Sequence, residues 1–274
     1  MKVLDFHCHV YPDKIAEKAA CATGTFYGVG LPQSTGTVAE LRRMEDAAGI
    51  SMQLIHSVAT KPAQVPAINK FIAACQAEDP ARLIGFGALH PDSEDIAADV
   101  QQILDLGLHG VKLHPDIQRF ALNEPRSMRM FEVLAGRLPV LLHTGDARYQ
   151  YSNPDQLIPV LEAFPETVFV GAHMCGYTIW DEAEQALYGK YENLWADCSS
   201  TLYAMPPERA VALLRHFGTG RIMFGTDFPL WDPKTELARF LALPLTRAEQ
   251  RAILFENAAR FLQLPVRTEA GRPA

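Results

Sequence analysis

The chain has 274 residues, 48% of them hydrophobic and 21% charged, enough to bury one large core. Its 32 acidic residues outnumber 25 basic ones, and the net charge is −7 with no Lys/Arg cluster to reverse it. That balance speaks against nucleic-acid binding.

The first predicted element is a strand over Lys2–His9. It ends in Asp5-Phe6-His7-Cys8-His9, where strand alternation puts His7 and His9 on one face, about 7 Å apart along the chain. Cys8 then faces the opposite side and reads as a small packed hydrophobe. The next stretch, Tyr11–Thr37, is rich in Gly, Thr and Pro around Gly24–Gly36 and reads as a long lid-like loop. Apolar residues at three- and four-residue steps predict a helix over Val38–Ala48. Strands follow over Met52–Val58 and Arg82–His90, then a helix over Ile96–Leu106 introduced by Asp92-Ser93. A strand over His109–His114 precedes a helix over Met128–Ala135. A strand over Leu138–His143 precedes a helix over Leu157–Phe164, opened by Asn153-Pro154. Strands over Thr167–His173 and Asn193–Ser199, a helix over Val211–Phe217 and a strand over Arg221–Asp227 complete the alternation. Thr246 and Glu249 form a capping-box pattern that starts a last helix.

Eight strands regularly separated by helices are the pattern of an α/β protein whose parallel sheet closes into a (β/α)8 barrel. An open doubly wound sheet would carry a Gly-rich phosphate turn after its first strand, where this chain has His-Cys-His-Val-Tyr-Pro. Residues 1–264 read as a single domain and 265–274 as a disordered tail.

Barrel active sites lie at the C-terminal ends of the strands. There this chain places His7 and His9, His90, Lys112 and His114, His143, His173 and Asp227. Of its nine histidines, only His56, His109 and His216 read as lying outside strand ends. Several imidazoles with one carboxylate suit Zn²⁺ or a similar divalent ion, which brings water toward a pKa of ~7. An aspartate beside it can take and return the proton. His90-Pro91 reads as structural, Asp146 and Arg148 as solvated loop charges ahead of substrate contacts, and Trp231 as core or rim packing, with a wall for a substrate pocket as the alternative.

In these elements the chain resembles the amidohydrolase superfamily, and within it the amidohydrolase-related group that also holds aminocarboxymuconate-semialdehyde decarboxylase. The matching segments are Asp5-Phe6-His7-Cys8-His9, Leu142-His143, Gly171-Ala172-His173-Met174, Phe224-Gly225-Thr226-Asp227-Phe228-Pro229 and Asn257-Ala258-Ala259-Arg260-Phe261. The resemblance implies a TIM barrel with His7, His9, His143 and Asp227 as metal ligands and Asp227 as proton shuttle. It implies His173 as a further ligand or as the group that positions water. Lys112, two residues before His114, is either carboxylated and metal-bridging, as in some branches, a contact to a substrate anion, or a salt-bridged barrel residue. His114 is a substrate contact or a strand terminator.

The expected activity is hydrolysis of a small amide, lactone or ester by metal-activated water, with one Zn²⁺ and a second position open. The alternative is non-oxidative decarboxylation of an aromatic or enoic acid. No arginine within Tyr11–Thr37 offers a carboxylate clamp, which weighs against that alternative. The N-terminus shows no signal-peptide pattern and no apolar run of ~20 residues occurs, so the expectation is a cytoplasmic protein without a membrane partner. A homodimer stays open. Five cysteines at 8, 21, 75, 175 and 198 lack CxxC spacing and read as free thiols.

Overall fold

A computed structural model describes residues 1–264; the predicted tail at 265–274 lies outside the described residues. Parallel strands follow one another around the barrel: β1 (Leu4–His9), β2 (Met52–His56), β3 (Leu83–Gly85), β4 (Gly87–Ala88), β5 (Val111–Leu113), β6 (Val140–Leu142), β7 (Phe169–Gly171), β8 (Leu194–Asp197) and β9 (Ile222–Met223). β3 and β4 are two halves of one barrel strand interrupted at Phe86, so the barrel has eight staves. Backbone bonds from Phe86 N to Ile55 O (3.0 Å) and Gly87 N to Gly110 O (2.8 Å) carry the ladder past the break. The last stave meets the first through Phe6 N to Phe224 O (2.8 Å), Asp227 N to His7 O (2.9 Å) and His9 N to Phe228 O (2.8 Å). The sheet is therefore closed, as the strand–helix alternation predicts.

Inside the barrel, Leu4, Phe6, Leu54, Ile84, Phe86, Leu141, Val170 and Met223 form a small buried cluster. A larger apolar layer fills the space between the sheet and the helices. The register of β1 against β2 shifts between Asp5 and Cys8. Such an irregularity lets Leu4 and Phe6 fill the interior while His7 and His9 face the mouth above it. Below, a helical run continues from Arg247–Arg251 through a π-helical turn to Asn257–Phe261. Asn257 ties it to the barrel by donating to the carbonyls of Thr219 and Ile222, each at 2.7 Å.

The predicted helices are present, with ends shifted by up to a few residues. Val38–Ala48 forms α2 with the predicted bounds, and the Thr246–Glu249 capping box is made. The helix after the third stave starts one turn later than Asp92-Ser93 suggests, with Asp95 capping Ala98 N at 2.9 Å. The main correction concerns Tyr11–Thr37. It is not a loop throughout, because Ala16–Tyr27 forms α1, a 12-residue helix ended by Gly28 at φ +67°. Its first turns hold Ala, Glu and Lys, good helix formers, but Thr23-Gly24-Thr25 and a weak apolar stripe hide it from a periodicity reading. α3 (Val65–Glu78) follows β2. Among the described residues, no helix is long and apolar enough to cross a membrane.

Candidate active site at the barrel mouth

His7 and His9 leave β1 on the mouth side, with their Nε2 atoms 3.3 Å apart. Asp227 follows the last stave at φ +61° and brings Oδ1 to 3.5 Å from both nitrogens. Gly225 makes this approach possible, since a Cβ there would stand 2.9 Å from His7 Cβ and 3.1 Å from Ser199 Cβ. Asp197, at the end of β8, accepts from His7 Nδ1 at 2.9 Å, which leaves Nε2 as the nitrogen that carries the lone pair. Burial, reinforced by the nearby Lys112 charge, pushes both His7 and His9 well below the ordinary histidine range, so both rings are neutral.

His173 opens a turn in which it, Met174 and Cys175 all have φ between +55° and +61°. Backbone held in this region is strained and persists only where its surroundings fix it. Here Trp180 Nε1 donates to His173 O at 3.0 Å and Tyr188 Oη to Met174 O at 2.6 Å. The His173 ring sits with Nδ1 3.0 Å from Ser199 Oγ and Nε2 3.1 Å from His143 Nδ1. Burial lowers both His143 and His173 to about 3.

His143 follows β6, stacks flat on His114 with ring centroids 4.0 Å apart, and places Nε2 3.2 Å from Asp116 Oδ2. His114, His143 and Asp116 thus form a second group beside the His7–His9–Asp227 group, and His173 links the two. Lys112 is buried on β5 with Nζ 3.2 Å from His7 Nε2; burial lowers it to about 8, against the pull of Asp197 and Asp227. Asp227 is pushed up to about 7 by burial, against the Ser200 hydroxyl that donates to Oδ2.

Several contributors escaped the sequence reading. Tyr27, on the unpredicted α1, reaches down to touch His114 Nε2 and lies 3.1 Å from His143 Nδ1. Asp197 and Ser199 orient two of the imidazoles; a lone acid inside a strand run carried no signal. His56, read as lying away from strand ends, closes β2 and faces His9 across the β1–β2 ladder. Asp146 is buried rather than solvated, and it holds Arg148, whose Nη1 donates to Phe26 O of α1 at 2.6 Å. His90 caps its own turn, Nδ1 accepting from Asp92 N at 3.2 Å. Trp231 borders a crevice at Asp227 and donates to Ser200 Oγ at 2.8 Å.

The family model described as amidohydrolase matches residues 4–264. The chain belongs to the amidohydrolase family. No curated protein matches it. Among solved structures, this family member is similar to an uncharacterised TIM-barrel protein of Bordetella bronchiseptica, at 22% identity and TM-score 0.80 over 96% of this chain and 99% of that one. It is also similar to a dihydroxybenzoic acid decarboxylase of Polaromonas sp. JS666 with bound manganese, at 15% identity and TM-score 0.69 over 96% and 97%. A third is a probable 2-pyrone-4,6-dicarboxylic acid hydrolase of Acinetobacter baumannii, at 18% identity and TM-score 0.68 over 96% and 100%. At these identities the likeness supports the barrel fold of the family and leaves the reaction to the site.

Proposed function

We propose that the protein is a metal-dependent hydrolase acting on a small amide, lactone or ester. The observation that carries this reading is the triangle of His7 Nε2, His9 Nε2 and Asp227 Oδ1, with edges of 3.3, 3.5 and 3.5 Å. Ligands about 2.0–2.1 Å from a tetrahedral ion stand roughly 3.4 Å apart, so these atoms match one face of a coordination sphere. The donor chemistry agrees, because neutral imidazoles and a carboxylate turn lone pairs to a common point and want a cation between them. Zn²⁺ is the ion we propose, with His143 and His173 completing or flanking its sphere. A bound divalent ion supplies Lewis acidity toward water and a carbonyl oxygen.

The chain's own groups do the rest. Asp227, the carboxylate of the triangle, takes a proton and returns it to the leaving group. His173, fixed by Ser199, orients water or the developing oxyanion. Lys112 and His114 contact the substrate's polar end. A cavity of about 550 Å³ opens from His9 between α1 and α3, walled by Ala19, Phe26, Ala67, Ile68 and Phe71. None of its lining residues is Lys, Arg, Asp or Glu, which favours a neutral acyl substrate over a carboxylate. The decarboxylase reading draws on the Lys112 cation beside the triangle, placed to hold a carboxylate, and on the likeness to decarboxylase structures.

Protein purified without chelator is expected to carry about one divalent ion per chain, and activity on a screen of esters, lactones and amides is expected to vanish with chelator and return with metal. Asp227→Asn should cut turnover by at least about 10²–10⁴, the range of one proton-transfer group, with an unchanged circular dichroism spectrum. Metal-free protein that is fully active rejects the reading. Carbon dioxide release from aromatic acids, without hydrolysis of any ester, moves the assignment to decarboxylation.

A further inference from the structure

His56 is the one histidine of the barrel mouth left without a task by the roles above. It ends β2 opposite His9 in the parallel ladder, so the two side chains leave the sheet on the same face. It is fully buried, with its ring centroid 4.4 Å from that of His9 and 4.9 Å from that of His7. Both rings meet it nearly edge-on, at 87° and 77°. Among the described residues, neither Nδ1 nor Nε2 of His56 has a hydrogen-bond partner. A neutral imidazole carries one donor and one lone pair, and a buried ring with both unmatched calls for an explanation. Among the described residues, no other strand-end histidine of the mouth has both ring nitrogens unpartnered: His7 has Asp197, His114 has Tyr27, His173 has Ser199, and His143, whose Nε2 is also without a hydrogen bond, has Tyr27 and His173 at Nδ1. The ligand-capable atoms of His7, His9 and His56 lie within 4.8 Å of one another.

We propose that His56 is a further ligand of the divalent ion held by His7, His9 and Asp227, so that three imidazoles and one carboxylate from three neighbouring staves hold it and a fifth position stays open for water. This rests on the metal-dependent reading above. It gives the unpartnered nitrogens of His56, one of which lies within 4.8 Å of ligand atoms of His7 and His9, a cation to bind, and it accounts for a buried imidazole that packing alone leaves unsatisfied.

The test uses the full chain, stripped and reloaded with Co²⁺ and, separately, with cadmium-113. Wild type is expected to bind Co²⁺ tightly, while His56→Ala and His56→Gln, each checked for folding by circular dichroism, bind more than about 100-fold more weakly in chelator competition. X-ray absorption of the loaded variants should show one imidazole fewer than wild type. In wild-type protein labelled with ¹⁵N-histidine, a one-bond cadmium–nitrogen coupling is expected on the His56 ring, a readout that needs no variant to fold. Folded variants that keep wild-type affinity and imidazole count, or a His56 ring without that coupling in cadmium-loaded protein, overturn the proposal and leave His56 a packing residue. Wild type that takes up neither ion rejects the metal-dependent reading and the His56 assignment together. Wild type that binds metal with His56 uninvolved rejects only the latter.

Discussion

Asp5 lies on the outer face of β1, yet it helps set the positions of two residues of the site. Its Oδ1 accepts from the amides of His7 and Thr226, both at 3.0 Å, and the Thr226 hydroxyl also donates to its carboxylate. The one group therefore pins the β1 irregularity and the segment leading to Asp227. Glu45 of α2 packs against it, grouped with Cys8 and without solvent. Burial raises both carboxyls, Glu45 well above the usual carboxylate range. A group raised in this way contributes stability that is complete below its unfolded pKa and is lost as pH rises through the folded value. Glu45→Gln removes that titration while retaining a donor for Asp5. Its melting temperature should therefore gain on wild type between pH 4 and pH 8, by about 2–4 °C for each kcal/mol relieved. Parallel melting curves across that range would show that the pair takes up no extra proton on folding. At this scale His7, His9 and Asp227 were legible because a strand's period of two and a turn-rich Gly-Thr-Asp-Phe-Pro mark them directly. Asp5, Asp197 and Ser199 were not, because their work is a hydrogen bond to a residue remote in sequence.

The element that most changes the picture of the site is α1. It covers the mouth, and its last turn is fastened by polar contacts rather than by a wide apolar face. Tyr27 meets His114 and His143, while Arg148, held by Asp146, binds Phe26 O and lies 5.1 Å over the Phe26 ring. Phe26 also stacks on Tyr149 at 5.4 Å and 9°. Tyr27→Phe keeps the ring and deletes the hydroxyl contacts, a loss of about 1–2 kcal/mol for two hydrogen bonds. Amide exchange over residues 16–27 should then quicken by about 5–30-fold with the barrel strands unchanged, because local opening follows local free energy. Unchanged exchange would mean that Arg148 and the apolar contacts hold α1 alone. The eight staves and α2 were readable because continuous apolar runs and three- and four-residue spacing follow from burial on known faces. α1 was not, since an Ala-rich helix with Gly24 near its end has little periodicity and its partners sit more than 80 residues away.

Across the whole molecule, four of the five cysteines lie under the helical shell and one does not. Cys8, Cys75, Cys175 and Cys198 are buried, while Cys21 on α1 is half-exposed. Burial raises Cys75 to about 11 and Cys8, Cys175 and Cys198 further, so their thiolates are scarce as well as covered. A thiol reagent should count one fast cysteine in native protein and five in denaturant; a second fast thiol in native protein would show that the shell opens. The sequence by itself determined the barrel, its order of staves and the ring of titratable groups at their ends, because these depend on local periodicity repeated along one chain. Tertiary structure alone decided which of those groups share a point in space, that His56 joins them, that α1 roofs the mouth, and that the adjoining cavity carries no charge. Those are consequences of barrel closure, which brings residue 7 beside residue 227, and no local pattern encodes such a distance.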